Sequence, residues 1–164
     1  MLFHDPGRQP HQFLHAVAAV GRRSRLSVQE YIDGRIRILS VGLDPMRIDF
    51  SAPGAHTVAG VDAEKVIRGL HANKALLSGL GFDFDICLLD YGDTAEPMLR
   101  RILTETTYDC ILVGAGIRLI PDNTALFETL MNVIHRTAPD ATLCFNTHPG
   151  DFGCRGTALV PLAR

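Results

Sequence analysis

The sequence predicts an α/β three-layer sandwich around a mainly parallel, doubly wound sheet. Three observations carry that expectation. From about residue 35, short apolar runs alternate with helical patterns as strand, helix, strand, helix, strand, helix, strand, the order that right-handed crossovers turn into a parallel sheet. The runs are apolar along most of their length, as strands covered on both faces require. Each run also ends in glycine or small polar residues, where a strand hands over to a helix. Four to five strands in the order 2-1-3-4 are expected, the common small doubly wound plan.

The first strand is RIRILSVG (35–42), β-branched and ending in glycine. About twenty residues follow before the first helix (43–61, with His56). A connection of that length in a compact domain is usually functional, here a lid over the strand ends with Gly54 and Gly60 as pivots. The first helix places Val66, Leu70 and Leu77 on one face, widened by Ile67 and Leu76. Asp62 is placed to cap its start, and Gly79 and Gly81 to stop it. FDFDICLLDYGD is the second strand, with Asp83 and Asp85 on one side and Phe84 and Ile86 on the other. Thr94 opens the second helix, Pro97 sits in its first turn, and Leu99, Ile102 and Leu103 face inward. DCILVGAG is the third strand and the most continuously apolar. The third helix starts near Asp122 or Asn123, buries Leu126, Leu130, Val133 and Ile134, and ends by Pro139; ATLCFNTHPG is a fourth strand stopping at Asn146.

Residues 1–34 read as an appended helical arm (PHQFLHAVAAVG, SVQEYID) and 35–164 as one α/β domain, whose tail contains a possible short strand, ALVPLA. The 164 residues are enough for a sizeable core. Apolar residues at 46% and charged residues at 21% are ordinary for a globular chain. A net charge of −2 offers no electrostatic footprint for nucleic acid, and Arg22, Arg23 and Arg25 read as a solvated turn or helix end. No apolar run approaches the ~20 residues that span a bilayer, so no membrane partner is expected. FLHAVAAVG lacks the basic start of a signal peptide, and the arginines follow it. Cys87, Cys110 and Cys144 lie inside apolar runs, as reduced core cysteines do, and no CxxC pair supports a metal or redox motif. The expected location is the cytoplasm.

The run Tyr108 to Thr147, YDCILVGAGIRLIPDN…LMNVIHRTAPDATLCFNT, resembles the third strand, third helix and fourth strand of bacterial response-regulator receiver domains. The resemblance implies a flavodoxin-like (Rossmann-like) fold, with a phosphoacceptor aspartate at the end of the third strand and an acidic pair at the end of the first. Here the phosphoacceptor position falls on Gly114 to Gly116, the first strand ends with Asp44 alone, and no lysine closes a fifth strand. Phosphotransfer is therefore not implied. The stretch 35–147, with its GLDP and GAGIR loops, also resembles uncharacterised bacterial proteins of this size, which assigns no activity.

Ligands of an open parallel sheet bind outside the carboxyl ends of its strands. That rim collects Gly42 and Asp44, then Asp90, Gly92 and Asp93, then Gly114, Gly116 and Arg118, then Asn146, Thr147 and His148. GAGIRL has Leu119 where a dinucleotide fingerprint needs its third glycine, and it follows the third strand instead of the first. No cofactor is assigned. Arg118 has the geometry to clamp a phosphate or carboxylate; the alternative is an ion pair with Asp93 or Asp122. Asp90, at the end of an apolar strand, is a candidate acid or base or else a carboxylate capping the next helix with Thr94. His148 is the other candidate for proton transfer. Asp44, His56 and His148 contain no close-spaced ligand pair, and no metal is assigned.

Two readings follow. The chain binds a small anionic ligand at the strand rim, with Gly42, Asp44, Gly114, Gly116, Arg118, Asn146 and Thr147 as ligand-binding residues and Asp90 and His148 as catalytic candidates. Alternatively it is a non-catalytic, receiver-like interaction module, a homo-oligomer through its N-terminal arm or an edge strand. The absence of a complete catalytic motif leaves its status as an enzyme open.

Overall fold

A computed structural model describes residues 36–48, 62–79 and 81–147. The predicted N-terminal arm, the connection 49–61 with His56, and the tail from His148 with its predicted short strand lie outside the described residues.

The described strands are β1 (Arg37–Leu43), β2 (Asp83–Leu89), β3 (Cys110–Val113) and β4 (Thr142–Phe145). They form one sheet in the order β2-β1-β3-β4, every pair parallel. This is the doubly wound α/β plan of flavodoxin-like and Rossmann-like folds. The helices are α1 (Ala63–Gly79), α2 (Ala95–Glu105), the single turn α3 (Ala115–Arg118) and α4 (Thr124–Thr137). Strand alternation divides the side chains between two faces. Leu39, Val41, Leu43, Cys87, Leu89, Ile111 and Val113 share one face and form a single cluster with Ala95, Leu99 and Leu103 of α2 and Leu130, Val133 and Ile134 of α4. Right-handed crossovers put α1 on the other face, because β1 to β2 runs the opposite way along the sheet from β3 to β4. β3 is buried along its whole length, consistent with cover on both faces.

The helix ends follow from local chemistry. Asp62 caps α1: its Oδ1 accepts from the Lys65 amide at 2.8 Å and its carbonyl from Val66. The Lys65 amide also holds the Asp62 carboxyl below its usual range. At the far end, Gly81 takes φ +91°, and the Phe82 amide closes onto the Leu77 carbonyl at 3.0 Å. In α2 the i, i+4 series Ala95, Leu99, Leu103 is buried and the opposite side is charged, with Arg100 donating to Glu96.

Two sequence expectations change. α1 buries only Leu77, while Val66, Ile67 and Leu70 are half-buried and Leu76 is 59% exposed. The helix lies against edge strand β2 and the turn after β1, so only a narrow stripe reaches the core. α4 is capped neither by Asp122 nor by Asn123. A 3-10 turn, Pro121–Asn123, leads directly into it, Thr124 donates its hydroxyl to the Pro121 carbonyl, and the Asn123 amide turns away to Gly116.

The amino end of the sheet is pinned by polar contacts. The Asp109 carboxylate accepts from the Arg37 amide at 2.8 Å, and the Tyr108 hydroxyl donates to Asp85 at 3.1 Å. Burial, reinforced by the Asp85 carboxylate, pushes the Tyr108 phenol up to about 12. Burial pushes the Cys87 thiol up to about 11, as expected for a cysteine in the core.

Candidate functional site: the carboxyl rim around β1 and β3

The strand order reverses between β1 and β3, and their carboxyl ends define the crevice where such sheets bind ligands. Gly114 closes its floor. Its amide donates to the Val41 carbonyl at 2.8 Å, and an added Cβ would stand 3.2 Å from that oxygen and 3.5 Å from the Gly42 Cα. Glycine is needed there for close approach of two backbones, not for an unusual angle, since φ is −66°. Gly116 differs: a Cβ there would meet nothing within 4 Å.

The first amide of α3 is already partnered. Buried Asn146, just past β4, accepts from the Ala115 amide through Oδ1 at 2.6 Å. The Gly116 carbonyl accepts from the Asn123 side chain at 2.9 Å. These two asparagines bind α3 to β4 and to the start of α4, so α3 is a fixed strut across the rim. The sequence predicts a helix start only near Asp122 or Asn123; the extra turn forms because Gly114 lets the chain fold back immediately after β3.

Arg118, at the end of α3, is half-buried. Its Nη2 donates to the Asn146 carbonyl at 3.0 Å, and its guanidinium carbon lies 5.7 Å from the centre of the Phe145 ring. Its Nε is buried and has no hydrogen-bond partner among the described residues. Neither Asp93 nor Asp122 pairs with it; both are exposed. Phe145, which also packs edge-on against Phe127 at 6.3 Å, is a rim residue that sequence reading missed. Its place as the last residue of the fourth strand was the available signal.

The carboxylates of the rim have local roles. Asp44 accepts from the Met46 amide at 3.0 Å, lies 3.7 Å from the Arg47 Nε, and so caps the 3-10 turn Pro45–Arg47. Asp90 accepts from the Thr94 hydroxyl, although neither side chain hydrogen-bonds the first amides of α2, and it follows β2, one strand away from the crevice. Gly92 turns the chain at φ +111° beside it. Gly42 is half-buried near the end of β1 and Thr147 is exposed beyond β4. The structure thus gathers Gly42, Gly114, Gly116, Arg118 and Asn146 around β1, β3 and β4. Asp90 is set apart on β2, and His148 lies outside the described residues. Among the described residues no group of three metal-binding side chains forms, and no helix is long and apolar enough to cross a membrane.

Comparison with known protein families, with curated proteins and with solved structures finds no match. The chemistry of the rim is the basis for a functional reading.

Proposed function

We propose that this domain binds a small anionic ligand, a phosphate or carboxylate group on a small molecule, at the carboxyl rim of its sheet. The observation that carries the reading is Arg118. Arg118 is half-buried and has no carboxylate partner among the described residues, and such a guanidinium is costly to hold, because desolvation of a charge is offset only by pairing or hydrogen bonding. One carbonyl and one aromatic face are a partial offset, and an anion beside the guanidinium would complete it. Gly116 leaves open space two residues away. The main-chain amides of Gly114 and Ala115 already have protein acceptors, so the reading rests on the side chain of Arg118 and not on an amide cradle.

The test is a thermal-shift series with inorganic phosphate, nucleotides, sugar phosphates and small carboxylates on the wild type and on Arg118→Ala. A ligand at a hundred times its dissociation constant stabilises by about 2.7 kcal/mol, which moves the melting point of a domain this size by several degrees. The expected result is a shift in the wild type that disappears in the variant. Equal shifts in both proteins, or none in either, would refute the reading.

A second reading, an interaction module without phosphotransfer, draws on a different observation. Met46 at 73% and Leu76 at 59% exposed are the large apolar side chains left uncovered beside α1, and the stretch expected for a phosphoacceptor, Gly114 to Gly116, holds no carboxylate. Sedimentation of the wild type against Leu76→Lys separates this reading from the first: an oligomer lost on substitution supports it, and a monomer in both removes it.

A further inference from the structure

On the sheet face away from α2 and α4, two thiols meet. Cys110 opens β3 and Cys144 is the third residue of β4; Cys110 stands opposite Thr142 and Cys144 opposite Leu112, so the cysteines are diagonal neighbours. Their sulfurs are 3.2 Å apart. Both residues are buried, Cys110 retaining 6% exposure and Cys144 none. Cys87 belongs to the cluster on the opposite face and takes no part.

A disulfide holds its sulfurs at about 2.05 Å, so the pair at 3.2 Å has a little over 1 Å left to close. Closing that gap calls for side-chain rotation and a small relative displacement of the two strands. β4 has four residues and stands at one end of the described sheet, while β3 is held between β1 and β4, so β4 is the less constrained of the two.

We propose that Cys110 and Cys144 form an intrachain disulfide across β3 and β4 when the protein meets a peroxide, making β4 a redox-responsive strand. Cys110, the more exposed residue of the two, attacks the peroxide O–O bond; one oxygen stays on sulfur as sulfenic acid and the other leaves as water. The Cys144 sulfur then attacks the sulfenic sulfur, the S–O bond breaks, and the oxygen leaves as a second water with the Cys144 proton. Two thiols are oxidised and one peroxide is reduced. Hydrogen peroxide is small enough to reach a nearly buried thiol through local opening. Asn146, which positions Ala115 and Arg118, lies two residues after Cys144, so any slide of β4 reaches the rim. The proposal stands independently of the anion reading.

The experiment exposes the native full chain to hydrogen peroxide, blocks remaining thiols, and maps the peptides by mass spectrometry without reduction. Cleavage after Arg101 and Arg118 isolates Cys110, and a second cleavage before Asp151 separates Cys144 from Cys154. The expected product is a Cys110–Cys144 linked peptide, formed equally in Cys154→Ser, reversed by dithiothreitol, and accompanied by loss of two titratable thiols. A Cys144–Cys154 link instead, oxidation of single sulfurs without a link, or unchanged thiols in the native protein would overturn the proposal. The wild-type map decides even if a cysteine variant fails to fold.

Discussion

Replacing each glycine of Gly114-Ala115-Gly116 by alanine should move stability in opposite directions, because the two positions meet different surroundings. At Gly114 the new methyl would lie 3.2 Å from the Val41 carbonyl oxygen. That oxygen cannot yield easily, since it accepts the Gly114 amide at 2.8 Å and belongs to a strand hydrogen-bonded on both sides. Overpacking of a tight site costs about 1–3 kcal/mol. The lower entropy of the unfolded alanine chain returns about 0.4–1 kcal/mol, because φ −66° suits alanine. The net expectation is a loss of roughly 0–2.6 kcal/mol, about 1.3 at the midpoints. At Gly116 the methyl meets nothing within 4 Å and the residue lies inside a helical turn, so only the gain remains, about 0.5–1 kcal/mol. Urea denaturation of Gly114→Ala and Gly116→Ala, compared through midpoints at unchanged slope, reads both values. A Gly114→Ala protein more stable than the wild type would refute the close-approach argument, and a destabilised Gly116→Ala protein would refute the open-space one.

Three further outcomes are expected. Leu77→Ala should cost about 2–5 kcal/mol as the one buried side chain of α1, whereas Leu76→Ala, on an exposed residue, should stay within about 0.5 kcal/mol; chemical denaturation distinguishes them. Asn146→Ala leaves the Ala115 amide without its acceptor and should cost about 1–3 kcal/mol, while Asn146→Asp keeps an acceptor and should lose less, as read by melting temperature. The raised phenol of Tyr108 favours the neutral native side chain, so its contribution is intact below pH about 10 and is lost as pH rises toward about 12. Alkaline denaturation of Tyr108→Phe should show a shallower decline over that window, and identical profiles would exclude Tyr108 as the cause.

How much of the site was legible depended on how local its causes were. The Asp62 cap, the Gly81 stop and the apolar face of α2 are interactions within a few residues, and they appear in the sequence as spacing. Leu76 was misplaced because its spacing matches a wide inward face, yet α1 sits over a sheet edge and offers the core only a narrow stripe. Arg118 was recognised as a rim residue from its position after a strand. Its partner was not, because the Asn146 carbonyl lies 28 residues away and reaches it only through the pairing of β3 with β4.

The sequence by itself determined the alternation of strands and helices, the parallel order 2-1-3-4, and the gathering of glycines, an arginine and an asparagine at one edge, because hydrophobic period and chain handedness are properties of the chain. Only the tertiary structure decided which of those residues are occupied with local work. Asp44 caps a turn, Asp90 accepts from Thr94, and Gly114 lets two strands touch, while Arg118 is half-buried with no carboxylate partner among the described residues. That distinction depends on which side chains lie within about 3 Å of one another, a range at which hydrogen bonds are made or missed and which no spacing along the chain encodes.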